Sequence, residues 1–537
     1  MTDTTIIQAL AERLAAHGVR RFFGVPGGDC SLDLIEAAAR CGIEFVVTRT
    51  ETAAAIMAAA TAQLTGAPGV LMTTRGPGLA NAVNGIAAAA LDRAPLLVLA
   101  DGHEPGQEHA SHQRFDQAAL LRPLVKAESR LADPDPVAEL DRLIATACAP
   151  PQGPVYVELI GGRIRAPLPA AEVAAPPASG PAGPDPAALA AARAALRGCR
   201  RPVIIAGLQA AEPGAAEALQ GLARAWRAPV LATYMAKGSF PDTDPLAVGP
   251  FIAGAAEAAL LRGADAILLF GADPIEFLPV PWRHPAPTVM LTTHAFDRRF
   301  HPWSAEVVGS LAASAAGIAD AVAPGGWSPA EIEAQRSAMR AAARTGEAGQ
   351  GITPGALVEA VQALAPAGAR IAVDAGAHML PVMALWSATM PRGALISRGL
   401  ATMGGALPSA IAASLAEPDR PVIAFTGDGG LMMCLAELAT AVQAGCRRLV
   451  TVVFNDAAMS MIEVKQRRRQ FPARGMDYGQ ADFAAVAEGL GCLGLRAGTA
   501  EEVTAALRRA FAAGRPALVD VTLEREAYHA LLPALRG

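Results

Sequence analysis

An apolar run, Val422-Ile423-Ala424-Phe425, leads into Gly427-Asp428-Gly429-Gly430, and a second polar residue, Asn455, closes the later run Val450-Thr451-Val452-Val453-Phe454. Glycines let a backbone turn sharply and come close to a ligand. A helix beginning near Leu431 offers unpaired N–H groups to an anion. An acidic residue at such a place repels phosphate unless a cation lies between them. Asp428 therefore predicts Mg²⁺, which takes one or two protein oxygens plus those of a phosphate. The amide oxygen of Asn455 suits a hard cation already shared with a diphosphate. Taken singly, each half is an ordinary turn with a capping Asp or a turn Asn. One helix and one strand apart, the two halves together favour a metal–diphosphate site.

Gly427-Asp428-Gly429 with Asn455 resembles the thiamine-diphosphate motif of the acetolactate synthase-like enzymes. The family usually ends the motif with two asparagines; here the second is Asp456. The resemblance assigns the metal to Asp428, Asn455 and the backbone carbonyl of Ala457, and the diphosphate to the glycines 427, 429 and 430. It extends over nearly the whole chain. Phe23-Gly24-Val25-Pro26-Gly27-Gly28 resembles the family's opening strand and glycine loop, with Gly28 on the substrate side. Val46-Val47-Thr48-Arg49-Thr50-Glu51 puts a carboxylate after a strand and before an Ala-rich helix, and the family's catalytic glutamate falls on Glu51. Thr50 stands where the family usually has histidine. A carboxyl group bonded to the cofactor's pyrimidine nitrogen promotes the imino tautomer that deprotonates the thiazolium C2, which is general acid–base work. Gly399 to Pro408 resembles the segment that bends the cofactor, with Met403 as the apolar wedge followed by Gly404. Asp374-Ala375-Gly376-Ala377-His378 resembles a second diphosphate-contacting loop, through Gly376, Ala377 and His378. His378 is either a phosphate donor or a surface-loop histidine.

Thr73-Thr74-Arg75-Gly76-Pro77-Gly78-Leu79-Ala80-Asn81 is similar to the Gly-Pro-Gly-x-x-Asn loop of acetolactate synthases. None of the nine histidines are adjacent, unlike the His-His pair of pyruvate decarboxylase-like enzymes, and benzoylformate decarboxylase-like enzymes place a histidine in this loop. Ser111-His112-Gln113-Arg114-Phe115-Asp116 resembles the substrate-side Phe-Gln segment, Gln113 matching and His112 replacing Phe. His112 contacts substrate or solvates a loop. The resemblance implies decarboxylation of a 2-oxo acid such as pyruvate and transfer of the hydroxyalkyl carbanion to a second carbonyl. Three other readings stand beside it. A 2-hydroxyacyl-CoA lyase or oxalyl-CoA decarboxylase-like reaction ranks second, because Leu523 to Gly537 is short for a C-terminal lid. Simple 2-oxo acid decarboxylation is third. A non-catalytic cofactor-binding paralogue is disfavoured by the presence of Glu51, the Asp428–Asn455 pair and Met403. Val248 to Gly254 lacks the family's flavin-associated turn, and Gly271-Ala272-Asp273-Pro274-Ile275-Glu276 departs from its flavin-contacting Gly-Ala-Arg, so FAD is doubtful. The family joins Glu51 of one chain to the Asp428 domain of another, which implies a homodimer or a dimer of dimers.

The elements that must position these residues are legible in texture. At 537 residues the chain exceeds one core and suits three domains. Short apolar runs (Phe45 to Thr48, Val70 to Thr73, Leu96 to Leu99, Val203 to Ala206, Ala266 to Phe270, Ile371 to Asp374) alternate with Ala-rich helical patterns. Continuous apolar strands of this kind predict parallel sheets covered on both faces, with ligands at the carboxyl ends of the strands. The expected fold is thus α/β: three domains, each a mainly parallel sheet covered by helices. The pyrimidine-binding domain spans 1–165, the central domain 187–325 and the diphosphate-binding domain 352–537. Pro/Gly/Ala-rich linkers are expected at 163–186 and 323–354. A net charge of −5 makes no case for nucleic acid. The apolar stretches are too broken for a bilayer span, and the first residues lack a signal-peptide pattern. Seven scattered cysteines without a Cys-x-x-Cys pair read as small buried hydrophobes in a reducing cytoplasm.

Overall fold

A computed structural model of the chain describes residues 4–107, 112–168, 182–277, 282, 284–297, 303–346, 351–472 and 474–536. Its strands form three six-stranded sheets. The first contains β1 (Arg21–Val25), β2 (Glu44–Val47), β3 (Gly69–Thr73), β4 (Leu96–Asp101), β5 (Glu128–Ser129) and β6 (Pro154–Leu159), in the order β2-β1-β3-β4-β6-β5. The second contains β7 (Pro202–Ala206), β8 (Val230–Ala232), β9 (Ala247–Pro250), β10 (Ala266–Phe270), β11 (Thr288–Thr292) and β12 (Ala305–Val308), in the order β12-β11-β10-β7-β8-β9. The third contains β13 (Arg370–Val373), β14 (Ala394–Ile396), β15 (Val422–Gly427), β16 (Leu449–Asn455), β17 (Leu493–Ala497) and β18 (Ala517–Thr522), in the order β14-β13-β15-β16-β18-β17. Every pairing between these strands is parallel, and the first and third sheets share one strand order. The expected α/β class with parallel sheets is what the chain adopts.

The described residues pack as two compact units, one of residues 1–178, 399–419 and 434–447, the other of 179–398, 420–433 and 448–537. In the first unit, the helix Glu51–Thr65 shows why the chain is so rich in alanine. It buries Ala53, Ala54, Ala55, Ala58, Ala60 and Ala62, with the helices Pro77–Leu91 and Ala406–Ala416 packed against it. A Cβ on Gly85 would lie 2.5 Å from Ala55 Cβ and 2.6 Å from the Thr52 carbonyl oxygen. Small side chains are what let these helices approach so closely.

In the second unit, strand β10 is buried at every position. Its alternate side chains divide between two cores, Leu268 and Phe270 in one, Ile267 and Leu269 in the other. That is why its sequence reads as an unbroken apolar run. Burying each such side chain contributes roughly 1.5–3 kcal/mol. The third sheet's core includes Ile423, Phe425, Val452, Phe454 and Val519, and also Tyr528, Leu531, Leu532 and Leu535 of the helix Ala527–Arg536. The segment that starts at Leu523, read as short for a C-terminal lid, is therefore largely core. The stretch 323–354, expected as a linker, holds the helix Pro329–Ala343, started by a Ser328/Glu331 capping box and buried through Ile332, Met339 and Ala343. Of the other expected linker, residues 169–181 lie outside the described residues.

All seven cysteines are free, with Cys41 and Cys148 half-buried and the rest buried; burial pushes Cys30 up to about 12. Among the described residues, no helix is long and apolar enough to cross a membrane.

Candidate cofactor and metal site

Strands β15 and β16 are neighbours, with Gly427 opposite Phe454. The next residue on each, Asp428 and Asn455, therefore emerges at the carboxyl edge of adjacent central strands. Asp428 begins the helix Asp428–Cys434, three residues before the expected start near Leu431, because Gly427 ends the strand directly into the helical turn. Its carboxylate is buried, and Oδ1 accepts the Gly429 N–H at 2.7 Å. Oδ2 is buried without a partner. Burial raises the Asp428 pKa, opposed by the amides of Gly429, Ala457 and Ala458.

Asn455 is equally buried, at 1% exposure. Its Nδ2 donates to Asp520 Oδ1 at 2.9 Å and to the Ala481 carbonyl at 3.2 Å, while Oδ1 has no partner. Two buried oxygens, one from a carboxylate and one from an amide, thus stand unsatisfied on neighbouring strand ends. Such atoms are rare in folded proteins because each forfeits its hydration. Ala457 follows in the left-handed region (φ 56°), and its carbonyl accepts the Tyr478 N–H at 2.8 Å. A carbonyl has two lone pairs, so one remains. Asp456 bonds the Ser460 hydroxyl, and burial, reinforced by the nearby Asp428, pushes its carboxyl up to about 7.

His378 is 4% exposed, which excludes the surface-loop alternative. Its ring lies 5.3 Å from that of Phe454. A Cβ on Gly376 would come within 2.7 Å of the imidazole, and one on Gly427 within 3.3 Å, so both glycines make room for it. Burial holds the His378 pKa down at about 3, so the ring is neutral, and its Nε2 is buried without a partner. Ala377 is buried beside it. Gly430 meets another constraint: its Cβ would lie 2.2 Å from Asp374 Oδ2, which also accepts the Thr426 hydroxyl at 3.0 Å.

In the first unit, Glu51 opens its helix behind the N-cap Thr50, whose side chain accepts the Ala53 N–H. The carboxylate is 8% exposed, and Asn81 Nδ2 donates to its Oε2. A Cβ on Gly78 would stand 3.3 Å from Glu51 Oε1, so the Gly76-Pro77-Gly78 turn lies against the carboxylate. Beneath it sits Glu437, fully buried, accepting the N–H groups of Arg49 and Thr50 at 3.0 Å each and the Thr440 hydroxyl at 2.7 Å. Gln117 bonds the Gly76 N–H at 2.8 Å and donates to the Asp101 carbonyl at 3.1 Å. The Gly399 N–H donates to Asp92 Oδ1 at 2.7 Å, and Asn84 Nδ2 donates to Thr402 Oγ1 at 2.9 Å. These bonds tie the Met403 segment to the helix Pro77–Leu91. Met403 is half-buried, and Gly404 turns the chain at φ 81°. Gly28 is exposed with open space around it. His112 and Gln113 are exposed, and the Gln113 backbone packs on Gly76. Ser111 of that motif lies outside the described residues.

Reading the sequence did not single out Asp520, Glu437 or Gln117. A signal existed for Asp520, an acid inside Leu518-Val519-Asp520-Val521. Glu437 and Gln117 lie on ordinary amphipathic helices and carry none. In the basic run 465–469, Arg467 pairs with the buried Glu463 and with Glu526.

Fold and geometry define a three-sheet α/β protein whose unsatisfied oxygens and buried acids gather at the carboxyl ends of its strands. Three family models match in sequence: "Thiamine pyrophosphate enzyme, N-terminal TPP binding domain" over residues 4–120, the "central domain" over 189–314, and the "C-terminal TPP binding domain" over 374–521. The chain belongs to the thiamine pyrophosphate enzyme family. It is 27% identical to an acetolactate synthase of Bacillus subtilis over 96% of this chain and 93% of that protein. It is 28% identical to a catabolic acetolactate synthase of Raoultella terrigena, over 96% of this chain and 94% of the relative. It is 28% identical to a probable 2-ketoarginine decarboxylase of Pseudomonas aeruginosa, over 96% and 93%.

Proposed function

We propose that this chain is a thiamine-diphosphate- and Mg²⁺-dependent enzyme that decarboxylates a 2-oxo acid and joins the remaining fragment to a second carbonyl, as an acetolactate synthase does. The observation that carries the proposal is the pair of buried, partnerless oxygens, Asp428 Oδ2 and Asn455 Oδ1. A carboxylate, an amide oxygen and the Ala457 carbonyl form a hard-oxygen set that suits Mg²⁺ completed by phosphate oxygens. Among the described residues no group of three His, Cys, Asp or Glu forms a metal site, and this donor set does not need one. Gly427, Gly429, Gly430, Gly376, Ala377 and His378 would line the bound diphosphate. Met403 and Gly404 would lie against the bound cofactor. Gly28, His112 and Gln113 face the substrate. The three functional domains span 1–165, 187–325 and 352–537.

Thiamine diphosphate, when bound, supplies the electron sink that decarboxylation requires. The chain's own work is positioning and proton handling. Glu51 offers its carboxyl group to the pyrimidine nitrogen; Asn81 fixes one of its oxygens and Glu437 fixes the turn that carries it. Asp520 orients the Asn455 amide so that its oxygen, not its nitrogen, would be offered to a bound metal. The resemblance brings Glu51 of one copy to Asp428 of another, so the working form is a homodimer or a dimer of dimers. Simple 2-oxo acid decarboxylation is the second reading, favoured by the likeness to the 2-ketoarginine decarboxylase.

The test is incubation with thiamine diphosphate, Mg²⁺ and pyruvate, following pyruvate loss and acetolactate formation, with Glu51→Gln as control. Acetolactate made by the wild type and lost in the variant supports the proposal. Carbon dioxide with free aldehyde selects simple decarboxylation. Turnover unchanged in Glu51→Gln overturns the glutamate's role. No pyruvate consumption by cofactor-loaded protein overturns the acetolactate reading and turns the search to acyl-CoA and larger 2-oxo acid donors.

A further inference from the structure

The central sheet has the order β12-β11-β10-β7-β8-β9, so the chain reverses direction between β7 and β10. In open α/β sheets a dinucleotide lies in the crevice at that reversal, its diphosphate held by the amides of the two flanking loops. Here those loops are Gly207-Leu208-Gln209 after β7 and Gly271-Ala272-Asp273 after β10. They touch: a Cβ on Gly207 would lie 2.1 Å from Ala272 Cα and 2.7 Å from Glu276 Oε2.

Glu276 reaches into this junction and is 4% exposed. Its Oε2 accepts the Leu208 N–H at 2.9 Å and the Asp273 N–H at 3.1 Å. Its Oε1 accepts the Thr233 hydroxyl, from the end of β8. One carboxylate therefore bonds to three strand-end loops. Gln209, 1% exposed, ties its loop to the end of β11, its Oε1 accepting the Thr293 N–H at 2.8 Å while Nε2 donates to Thr292 Oγ1 at 3.2 Å. Amides that would face a diphosphate already bond to a carboxyl group of the chain's own.

We propose that Glu276 is a built-in substitute for the diphosphate of a dinucleotide, closing the central domain's crevice so that it takes neither FAD nor an adenine nucleotide. The carboxyl group supplies the acceptor oxygens that the loop amides require, and the contact of Gly207 with Ala272 leaves no room for a diphosphate between them. The central domain then holds its shape without a nucleotide. This rests on the central domain's geometry alone and stands whatever the substrate of the enzyme.

The test uses full-length protein loaded with thiamine diphosphate and Mg²⁺, titrated calorimetrically with FAD and with ADP, alongside thermal melting. The expected result is no binding heat and an unmoved Tm, whereas a ligand about 100-fold above its Kd would raise Tm measurably. Glu276→Gln, whose amide sets an N–H pair against the donors of Leu208 and Asp273, is expected to lower Tm by about 2–4 °C or more. Saturable binding of FAD or ADP to the wild type overturns the proposal, as does a Glu276→Gln Tm equal to the wild type's. If the variant fails to fold, the titration of the wild type still decides.

Discussion

Asn455 and Asp520 meet across neighbouring strands β16 and β18, with Asn455 Nδ2 donating to Asp520 Oδ1 at 2.9 Å. The second oxygen of Asp520 accepts the Phe483 N–H at 3.1 Å, so the carboxylate is itself anchored. An amide fixed at its nitrogen must present its oxygen elsewhere, and that oxygen is one of the two left unsatisfied. Asp520→Ala releases the amide. Partners behind a metal ligand typically carry 10- to 100-fold in metal affinity, so the Mg²⁺ requirement for cofactor binding is expected to rise by about that factor. Titration of cofactor binding against Mg²⁺ reads it; an unchanged midpoint refutes the role.

Glu437 holds the turn that carries Glu51 by accepting the N–H groups of Arg49 and Thr50, and is itself steadied by the Thr440 hydroxyl of its own helix. Glu437→Gln turns an N–H pair toward those donors and leaves at least one unsatisfied, at a cost of about 1–3 kcal/mol. A displaced Glu51 lowers kcat by about 100-fold with KM little changed, since small misplacements of reacting groups are that costly. Steady-state kinetics alongside melting separates this from simple destabilisation, in which activity per folded molecule is retained.

Gly85→Ala tests the close helix packing of the first unit. The added methyl would meet Ala55 Cβ at 2.5 Å and the Thr52 carbonyl at 2.6 Å, and the latter is backbone that cannot swing aside. Overpacking of this kind costs about 1–3 kcal/mol, read as a shift in denaturant midpoint at constant slope.

Glu257 gives a pH dependence. Its Oε1 accepts the N–H groups of Ile252 and Gly254, Oε2 has no partner, and burial pushes its carboxyl from 4.5 up to about 7. Tyr234 is the titratable group that feels its charge. Folded protein keeps this proton between those values whereas unfolded chain releases it. The contribution is therefore present in full below pH 4.5 and falls away as pH rises through 7. Glu276, also pushed up to about 7 by burial and facing Asp273, adds a parallel dependence. Glu257→Gln removes one of these titrations. Its unfolding free energy is expected to decline less steeply than the wild type's between pH 5 and 8 in denaturant titrations; equal slopes refute the assignment.

Periodicity and local chemistry made much of this protein legible from its residues alone. Apolar runs such as Val422 to Phe425 and Ala266 to Phe270 could only be strands buried on both faces, and glycines 427, 429 and 430 around Asp428 announced a turn built for close approach. Asn455 closes the strand before it and Glu51 opens a helix just after a strand, while the role of Glu51 is what the family resemblance implies. Those are relations among residues near one another in the chain. Short strands such as β8 and β14, three residues each, leave too little pattern to read.

What the tertiary structure alone decided is which polar atoms find partners and which do not. Glu437 reaches Thr50, Asp520 reaches Asn455, and Glu276 reaches Leu208 only because distant segments are brought to the same strand ends. His378 is neutral because burial, not its sequence neighbours, decides its charge. Segments 399–419 and 434–447 pack with the first sheet although they flank strand β15 of the third. Hydrogen-bond satisfaction and desolvation are properties of a filled volume, and a linear order of residues specifies that volume only once the chain has closed around it.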